Sequence, residues 1–511
     1  MVNILFVNTN GVLWHEVVDK LVNTNNFEIT IISEFIPDSQ KKDPRILHIN
    51  SCSLLTGKYA LDNINPKTKL SLFYSYLSEK SSFLNDNIDE FYSYIEPLMR
   101  HRTGFQNWSE QEIVFYIELW LSQADFILNS KTFDILLFPS APHAFFDNIL
   151  LLLASKFSTK CLTIEASAIF PISYLIEGYT DSYDNLINLP TFKQLNESEK
   201  LADSYIFSYS RSLYEQSDKK RFTPSYVPKI GELHSLLINY IGTIKSVFYN
   251  IYVSKRSSTG VLHKSPNSFY WSKKSFSWYF IFYTNILFKT LISYFRSIIH
   301  MLPLEYVTRK PFIAYFPPFQ IENTSMPLHG WDFSAIRVLD KIRATIGQDI
   351  LIVCKNHPVQ FSYLSSSPSS RDKLFYARAK EIGCLFAKSS TTSYSLFSHK
   401  NCIAVVCNGS TVALEAVAHG KPVFETVSTP YTPWKFVHPL SCFSMDYIHN
   451  LNLKDLQGKL SDYLSNISKQ NLIFWPHECH PSVNISTKNT FSSNLVAYLQ
   501  FLYTSVASNK F

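Results

Sequence analysis

Twice along this chain, short apolar runs alternate with helix-length stretches, and that rhythm limits the fold more than any other feature. In the first block Ile4–Val7 reads as a strand, a helical stretch follows Leu13, and Glu28–Ser33 reads as a second strand. A long Tyr- and Ser-rich stretch, expected to be helical, runs to about Ser130. Phe133–Phe138 then reads as a buried strand, Phe145–Lys156 as a helix and Lys160–Ile164 as a strand. The second block gives strands at Phe312–Phe316, Ile350–Cys354, Ile403–Cys407 and Pro422–Glu425, with helices at Phe333–Ala344, Lys373–Ile382 and Thr411–His419. Strands that alternate with helices build parallel sheets. A chain of 511 residues exceeds one ordinary core. The expected fold class is therefore α/β, with two facing Rossmann-like lobes that bind ligands beyond the carboxyl ends of their strands. The expected boundaries are 1–230 for the first lobe with a helical insertion, 231–308 for a linker, and 309–511 for the second lobe.

The segment between the blocks differs in kind. Leu233 to Leu304 contains no Asp or Glu but eight cations: Lys245, Lys255, Arg256, Lys264, Lys273, Lys274, Lys289 and Arg296. The whole chain carries only +6, so the remainder is slightly acidic. Aromatic residues crowd its second half, among them Trp271 and Trp278. Basic residues interleaved with aromatic rings suit a bilayer interface. An inter-lobe helical linker packed on the protein body is the alternative. Ser275–Phe288, the most apolar part, is too short to span, so this segment is expected to lie on a membrane rather than cross it.

Other bulk features narrow the class. The modest net charge argues against a nucleic-acid binder. No pair of the eight cysteines has zinc-site spacing, and several lie in strand-like runs, so buried reduced thiols are expected. The N-terminus lacks the basic region of a secretory signal, and a cytoplasmic protein is expected. Walker, G-x-G-x-x-G, H-E-x-x-H and G-x-S-x-G patterns are missing, and Asp86-Asn-Ile-Asp89 does not have D-x-D spacing. A metal-independent mechanism with no cofactor is expected.

Candidate chemistry gathers at strand ends. In Val406-Cys-Asn-Gly-Ser-Thr-Val-Ala-Leu-Glu-Ala-Val-Ala-His-Gly-Lys-Pro-Val423, Gly409 gives a tight turn. Ser410 and Thr411 can cap the next helix, whose start attracts anions, and Glu415 lies one turn further on. An ordinary capped strand–turn–helix remains the alternative. In Leu351-Ile-Val-Cys-Lys-Asn-His-Pro358, His357 can donate to a phosphate and assist a leaving nucleotide, with Lys355 adding charge. Gln320 and Glu322 follow the strand Phe312–Phe316. On the first lobe, His143 and Asp147 follow the strand Phe133–Phe138 and form a candidate acceptor side. Glu165 stands just past the strand Lys160–Ile164, with Glu177 twelve residues on. A carboxylate at such an edge is the group glycosyl transfer uses as base or nucleophile.

Together these residues resemble the bacterial capsule-polysaccharide synthesis family, which includes Kdo transferases that build capsule lipid linkers. Lys355-Asn-His-Pro358 matches the family's Lys-x-His-Pro stretch. Gly409, Ser410, Glu415, Ala416, Gly420, Lys421 and Pro422 match its Gly-Ser…Glu-Ala…Gly-Lys-Pro stretch, and Gln320 matches a Gln-containing turn. Glu165, Pro171 and Glu177 keep the spacing of an N-lobe pattern, but Ala166, Ser167 and Phe170 replace its second acid, glycine and arginine. The resemblance covers roughly residues 133–180 and 311–440. It implies a GT-B fold with the active site between the lobes. The donor would be a nucleotide sugar, CMP-Kdo in particular, held at the phosphate by His357, Ser410 and Thr411 and at the ribose by Glu415. Catalytic roles would fall to Glu165, Glu177 and His357, and the acceptor would be a glycolipid or glycan. A UDP-sugar transferase, a sugar-nucleotide epimerase of the same shape, and a non-catalytic polysaccharide-assembly scaffold remain the alternatives.

Overall fold

The computed structural model describes residues 1–7, 12–24, 26–33, 36–50, 95, 109–139, 145–157, 159–166, 173–177, 209–211, 213, 232–254, 276–318, 335–357, 360–361, 371, 373–388, 390–466 and 472–473, together with 493, 495–497 and 499–500. Two seven-stranded sheets organise them.

The first sheet contains β1 (Val2–Val7), β2 (Phe27–Ser33), β3 (Ile46–Asn50), β4 (Ile135–Phe138), β5 (Lys160–Ala166), β6 (Ser173–Glu177) and β14 (Leu472–Ile473). Their order is β14-β6-β5-β4-β1-β2-β3. The pairs among β1 to β5 are parallel, whereas β6 runs antiparallel to β5 and β14 antiparallel to β6. Near-continuous apolar strands such as Ile135–Phe138 are what a sheet covered on both faces requires, and all four of these residues are buried. Helix Val12–Val22 packs through Trp14, Val17, Val18 and Leu21 into one core; helices Glu110–Ser130 and Phe145–Lys156 pack into another.

The second sheet contains β7 (Met301–Leu302), β8 (Phe312–Phe316), β9 (Leu351–Cys354), β10 (Cys384–Ala387), β11 (Cys402–Cys407), β12 (Val423–Glu425) and β13 (His438–Pro439). Its order is β13-β12-β11-β8-β9-β10-β7, parallel throughout. Helices Ala335–Thr345 and Lys373–Glu381 contribute Val338, Leu339, Ile342, Phe375 and Ala379 to the core on one face. Helices Val412–Ala418 and Leu453–Asn466 pack against the other face. The α/β class with two parallel-sheet lobes thus stands as expected.

The lobe boundaries differ from the sequence expectation at two places. Helix Phe276–His300 leads straight into β7, so the second sheet begins inside the segment expected to be linker. Beyond residue 466 the chain returns to the first lobe. There β14 pairs with β6, and Leu495, Val496 and Leu499 join the core around β1 and β2. The expected apolar helix is also longer, at 25 residues from Phe276 to His300. The buried described cysteines, Cys161, Cys354, Cys384, Cys402 and Cys407, are free thiols, and Cys442 is free and exposed.

Candidate functional site

In the second sheet the chain passes from β8 to β9 on one side, then returns to place β11 on the other side of β8. That reversal is a topological switch point, beyond whose strand carboxyl ends open α/β sheets bind ligands. Register fixes what lies there. Cys407 pairs with Phe316 and Tyr315 with Cys354, and the Lys355 N–H extends the ladder to the Tyr315 carbonyl at 3.0 Å. Asn408, Pro317 and Asn356 therefore follow one row beyond the sheet, on three adjacent strands.

Asn408 is the most informative residue in that row. It is 5% exposed, yet among the described residues neither its Oδ1 nor its Nδ2 has a hydrogen-bond partner. Leaving a buried polar group unpaired costs about 1–3 kcal/mol, and each such group calls for a specific explanation. A ligand that both donates and accepts would satisfy this amide. Gly409 follows with φ +53°, a left-handed turn suited to glycine, and a Cβ here would stand 3.4 Å from Val427 Cγ2. The Ser410 Oγ accepts from the Val412 N–H at 3.3 Å. Thr411 stands at the N-cap with helical dihedrals and makes no side-chain cap bond, so only one of the two expected caps is formed. The following helix has seven residues, and Glu415 lies half-buried within it.

The end of this helix explains the rest of the motif. The Gly420 N–H donates to Val417 and the Lys421 N–H to Ala416, both at 2.9 Å, with Gly420 at φ +69°. This is a Schellman closure. Lys421 Nζ then donates to the Cys402 carbonyl at 2.8 Å. The Gly-Lys-Pro part of the run therefore fixes the strand–helix–strand corner, and the Asn408–Thr411 turn stands apart from that closure at the carboxyl end of β11.

Beneath the turn lies a buried acid. Glu425, the last residue of β12, accepts from the Tyr431 hydroxyl at 2.8 Å and from the Thr429 hydroxyl at 3.0 Å. Burial pushes its carboxyl up to about 8, against these hydrogen bonds and a weaker one from Cys407. Tyr431 also reaches the Ser410 carbonyl at 3.2 Å, tying this acid to the loop above it.

On the other side of β8, His357 and Lys355 leave β9. Burial, with Lys355 beside it, pushes the His357 imidazole down to about 4. At neutral pH it is an uncharged ring that can donate one N–H. Lys355 is itself 7% exposed. Arg371 is fully buried, donates from Nε to the Asn356 Oδ1 at 2.9 Å and lies over the Phe375 ring. Lys355 and His357 thus follow β9, and Arg371 is tied to the same strand end through Asn356; positive charge at such an end suits a phosphate. Arg371 follows a Ser- and Pro-rich stretch and carries no sequence signal of its own.

The first lobe brings fewer candidates together. Glu165 is the penultimate residue of β5, opposite Tyr174, at the sheet's carboxyl edge. Glu177 pairs with Leu162 instead, three rows back along β5, because β6 is antiparallel. It is exposed and bridges Lys160 Nζ at 2.8 Å. The structure therefore separates Glu177 from Glu165 and from the edge where a substrate would lie. Asp147 is buried in the first turn of helix Phe145–Lys156, after β4. His143, Gln320 and Glu322 lie outside the described residues, as does Asp86-Asn-Ile-Asp89. Among the described residues no group of three or more His, Cys, Asp or Glu could hold a metal ion.

No family model matches the chain, and no curated protein matches it. Solved structures do. The KpsC beta-Kdo 2,7-transferase of Thermosulfurimonas dismutans aligns with 66% of this chain and 79% of its own, at 12% identity and a TM-score of 0.26. A Staphylococcus aureus MnaA–UDP co-structure covers 98% of this chain and 97% of its own, at 10% identity and a TM-score of 0.20. Apo UGT2 of Phytolacca americana covers 96% and 98%, at 11% identity and a TM-score of 0.20. These scores are low, and the two-lobed reading rests on the sheets themselves.

Proposed function

We propose that the protein is a GT-B-type glycosyltransferase that binds a nucleotide sugar beyond the carboxyl ends of β8, β9 and β11. The observation that carries this reading is Asn408, a buried amide with both polar atoms unpaired at the topological switch point, flanked by the cationic end of β9. Lys355, Arg371 and neutral His357 provide charge and one N–H for the phosphates, and the Asn408–Thr411 turn provides backbone and hydroxyl groups. Glu415 is proposed for the ribose. Glu165, at the carboxyl edge of the first sheet, is proposed as the group that acts on the reacting carbon or the acceptor hydroxyl. His143 and Asp147 are proposed for the acceptor side, and Gln320 and Glu322 for the donor side.

The resemblance of Lys355-Asn-His-Pro358 and of the Gly409–Pro422 run supports a CMP-activated sugar acid such as CMP-Kdo as donor, with a glycolipid or glycan acceptor. A donor screen tests the reading. The expected result is acceptor-dependent release of one nucleotide, CMP foremost. Turnover of a UDP-sugar without acceptor would identify an epimerase, and no turnover of any donor would favour a scaffold.

A further inference from the structure

Helices Glu232–Ser254 and Phe276–His300 form a hairpin. Leu236 packs with Ile286 and Leu287, while Tyr240 and Thr284 share a hydrogen bond of 2.8 Å. The longer helix is fixed to the second lobe. The His300 ring stacks on Tyr376 with centroids 4.8 Å apart, Tyr294 meets Phe361 edge-on, and the helix continues into β7.

The opposite face of this helix is apolar and exposed. Ile281, Phe288, Ile292, Phe295 and Ile299 are 45% or more exposed and fall at i, i+7, i+11, i+14 and i+18, a single stripe about 27 Å long at the helical rise. The partner helix exposes Leu237, Ile241 and Phe248, again at helical spacing. Soluble proteins rarely present a continuous apolar face of this extent without a partner. Lys289 and Arg296 run along one flank of the stripe, a heptad apart, and Lys245 sits among the exposed positions of the partner helix. Neither helix has an acidic residue between Leu233 and His300. No helix among the described residues is long and apolar enough to cross a membrane.

We propose that this hairpin docks flat onto an anionic lipid bilayer, its apolar stripe in the acyl–headgroup boundary and its cations against lipid phosphates. A stripe running along a helix axis, with cations on its flank, is the geometry of an interfacial helix. The one-signed charge selects an anionic surface over an apolar protein groove. Because the helix runs into β7, docking also fixes the second sheet relative to the membrane. This inference does not depend on the proposed activity.

Co-sedimentation of the full-length protein with vesicles tests it. Wild type is expected to pellet with phosphatidylcholine–phosphatidylglycerol vesicles at low salt, and less with phosphatidylcholine alone. A Lys245→Glu/Lys289→Glu variant should partition about tenfold more weakly or worse. A Phe288→Ser/Ile292→Ser/Phe295→Ser variant should lose binding at high salt too, because its substitutions remove the part that salt does not screen. These positions are exposed, so the circular dichroism spectrum and melting of both variants should match wild type. Failure of wild type to pellet would overturn the proposal, as would pelleting that neither variant reduces. A wild-type dimer that the triple-serine variant dissociates would also overturn it, assigning the stripe to a second copy of the chain.

Discussion

Replacing Glu165 by Gln is expected to leave nucleotide binding intact and to lower transfer about a hundredfold or more. Removing a positioned acid–base or nucleophilic group removes a contribution of that order or larger to the transition state. The residue sits at the carboxyl edge of the first sheet, opposite Tyr174, whereas the proposed donor site lies on the second sheet. The loss should therefore fall on kcat with little change in donor affinity. Single-turnover kinetics with the donor found by screening provide the measurement. Activity within about tenfold of wild type would exclude Glu165 and direct the search to Asp147 or Glu322. Glu177 is the weaker choice, since it is exposed, ion-paired to Lys160 and displaced along β5.

The second large effect concerns pH. Glu425 has an ordinary value of 4.5 and is pushed up to about 8 by burial. The folded protein therefore holds a proton there that the unfolded chain releases above pH 4.5. Stability from this residue is fully present below about pH 4.5 and is lost as pH rises towards 8. Between those limits the loss at pH 7 amounts to about 3 kcal/mol as an order of magnitude. Glu425→Gln removes the titration and keeps a neutral group of the same shape. Tyr431 and Thr429 can each donate or accept, so they can pair with the amide as with the neutral acid. Denaturant unfolding at several pH values should show the stability difference between variant and wild type growing in the variant's favour from pH 5 to 8. Parallel curves would contradict the account. Ionisation should also reach the Asn408–Thr411 turn, because Tyr431 links Glu425 to the Ser410 carbonyl.

The legible parts of the fold were those set by local pattern. Phe312–Phe316 and Cys402–Cys407 are continuous apolar runs, and they form adjacent strands at the centre of the second sheet. Gly409 and Gly420 mark turns whose positive φ the backbone demands. What escaped was set by tertiary partners. The two-residue strand Leu472–Ile473 has no periodicity of its own and exists because Ser173 and Tyr174 present an open edge. The same holds for Met301–Leu302 against Phe386 and Ala387. The antiparallel turn of β6, which carries Glu177 away from Glu165, cannot be read from a spacing of twelve residues.

The site divides along similar lines. His357, Lys355 and the Asn408–Thr411 turn are readable in the sequence as following strands, whereas the placing of β9 and β11 on either side of β8 comes from the parallel register. The sequence did not mark the Asn408 side chain, whose importance lies in being buried without a partner. Nor did it mark Arg371 or the raised Glu425 carboxyl, since burial of a charged residue depends on what surrounds it.

Calorimetric titration with CMP, UDP, GDP and ADP tests the central claim most directly, using wild type, Asn408→Ala and His357→Ala. One nucleotide, CMP foremost, should bind wild type, and each substitution should weaken that binding by about 1–3 kcal/mol, the loss expected for a buried hydrogen bond to a charged or amide group. Binding of none of the four to wild type, or unchanged affinity in both folded variants, would contradict a nucleotide site at the carboxyl ends of β9 and β11.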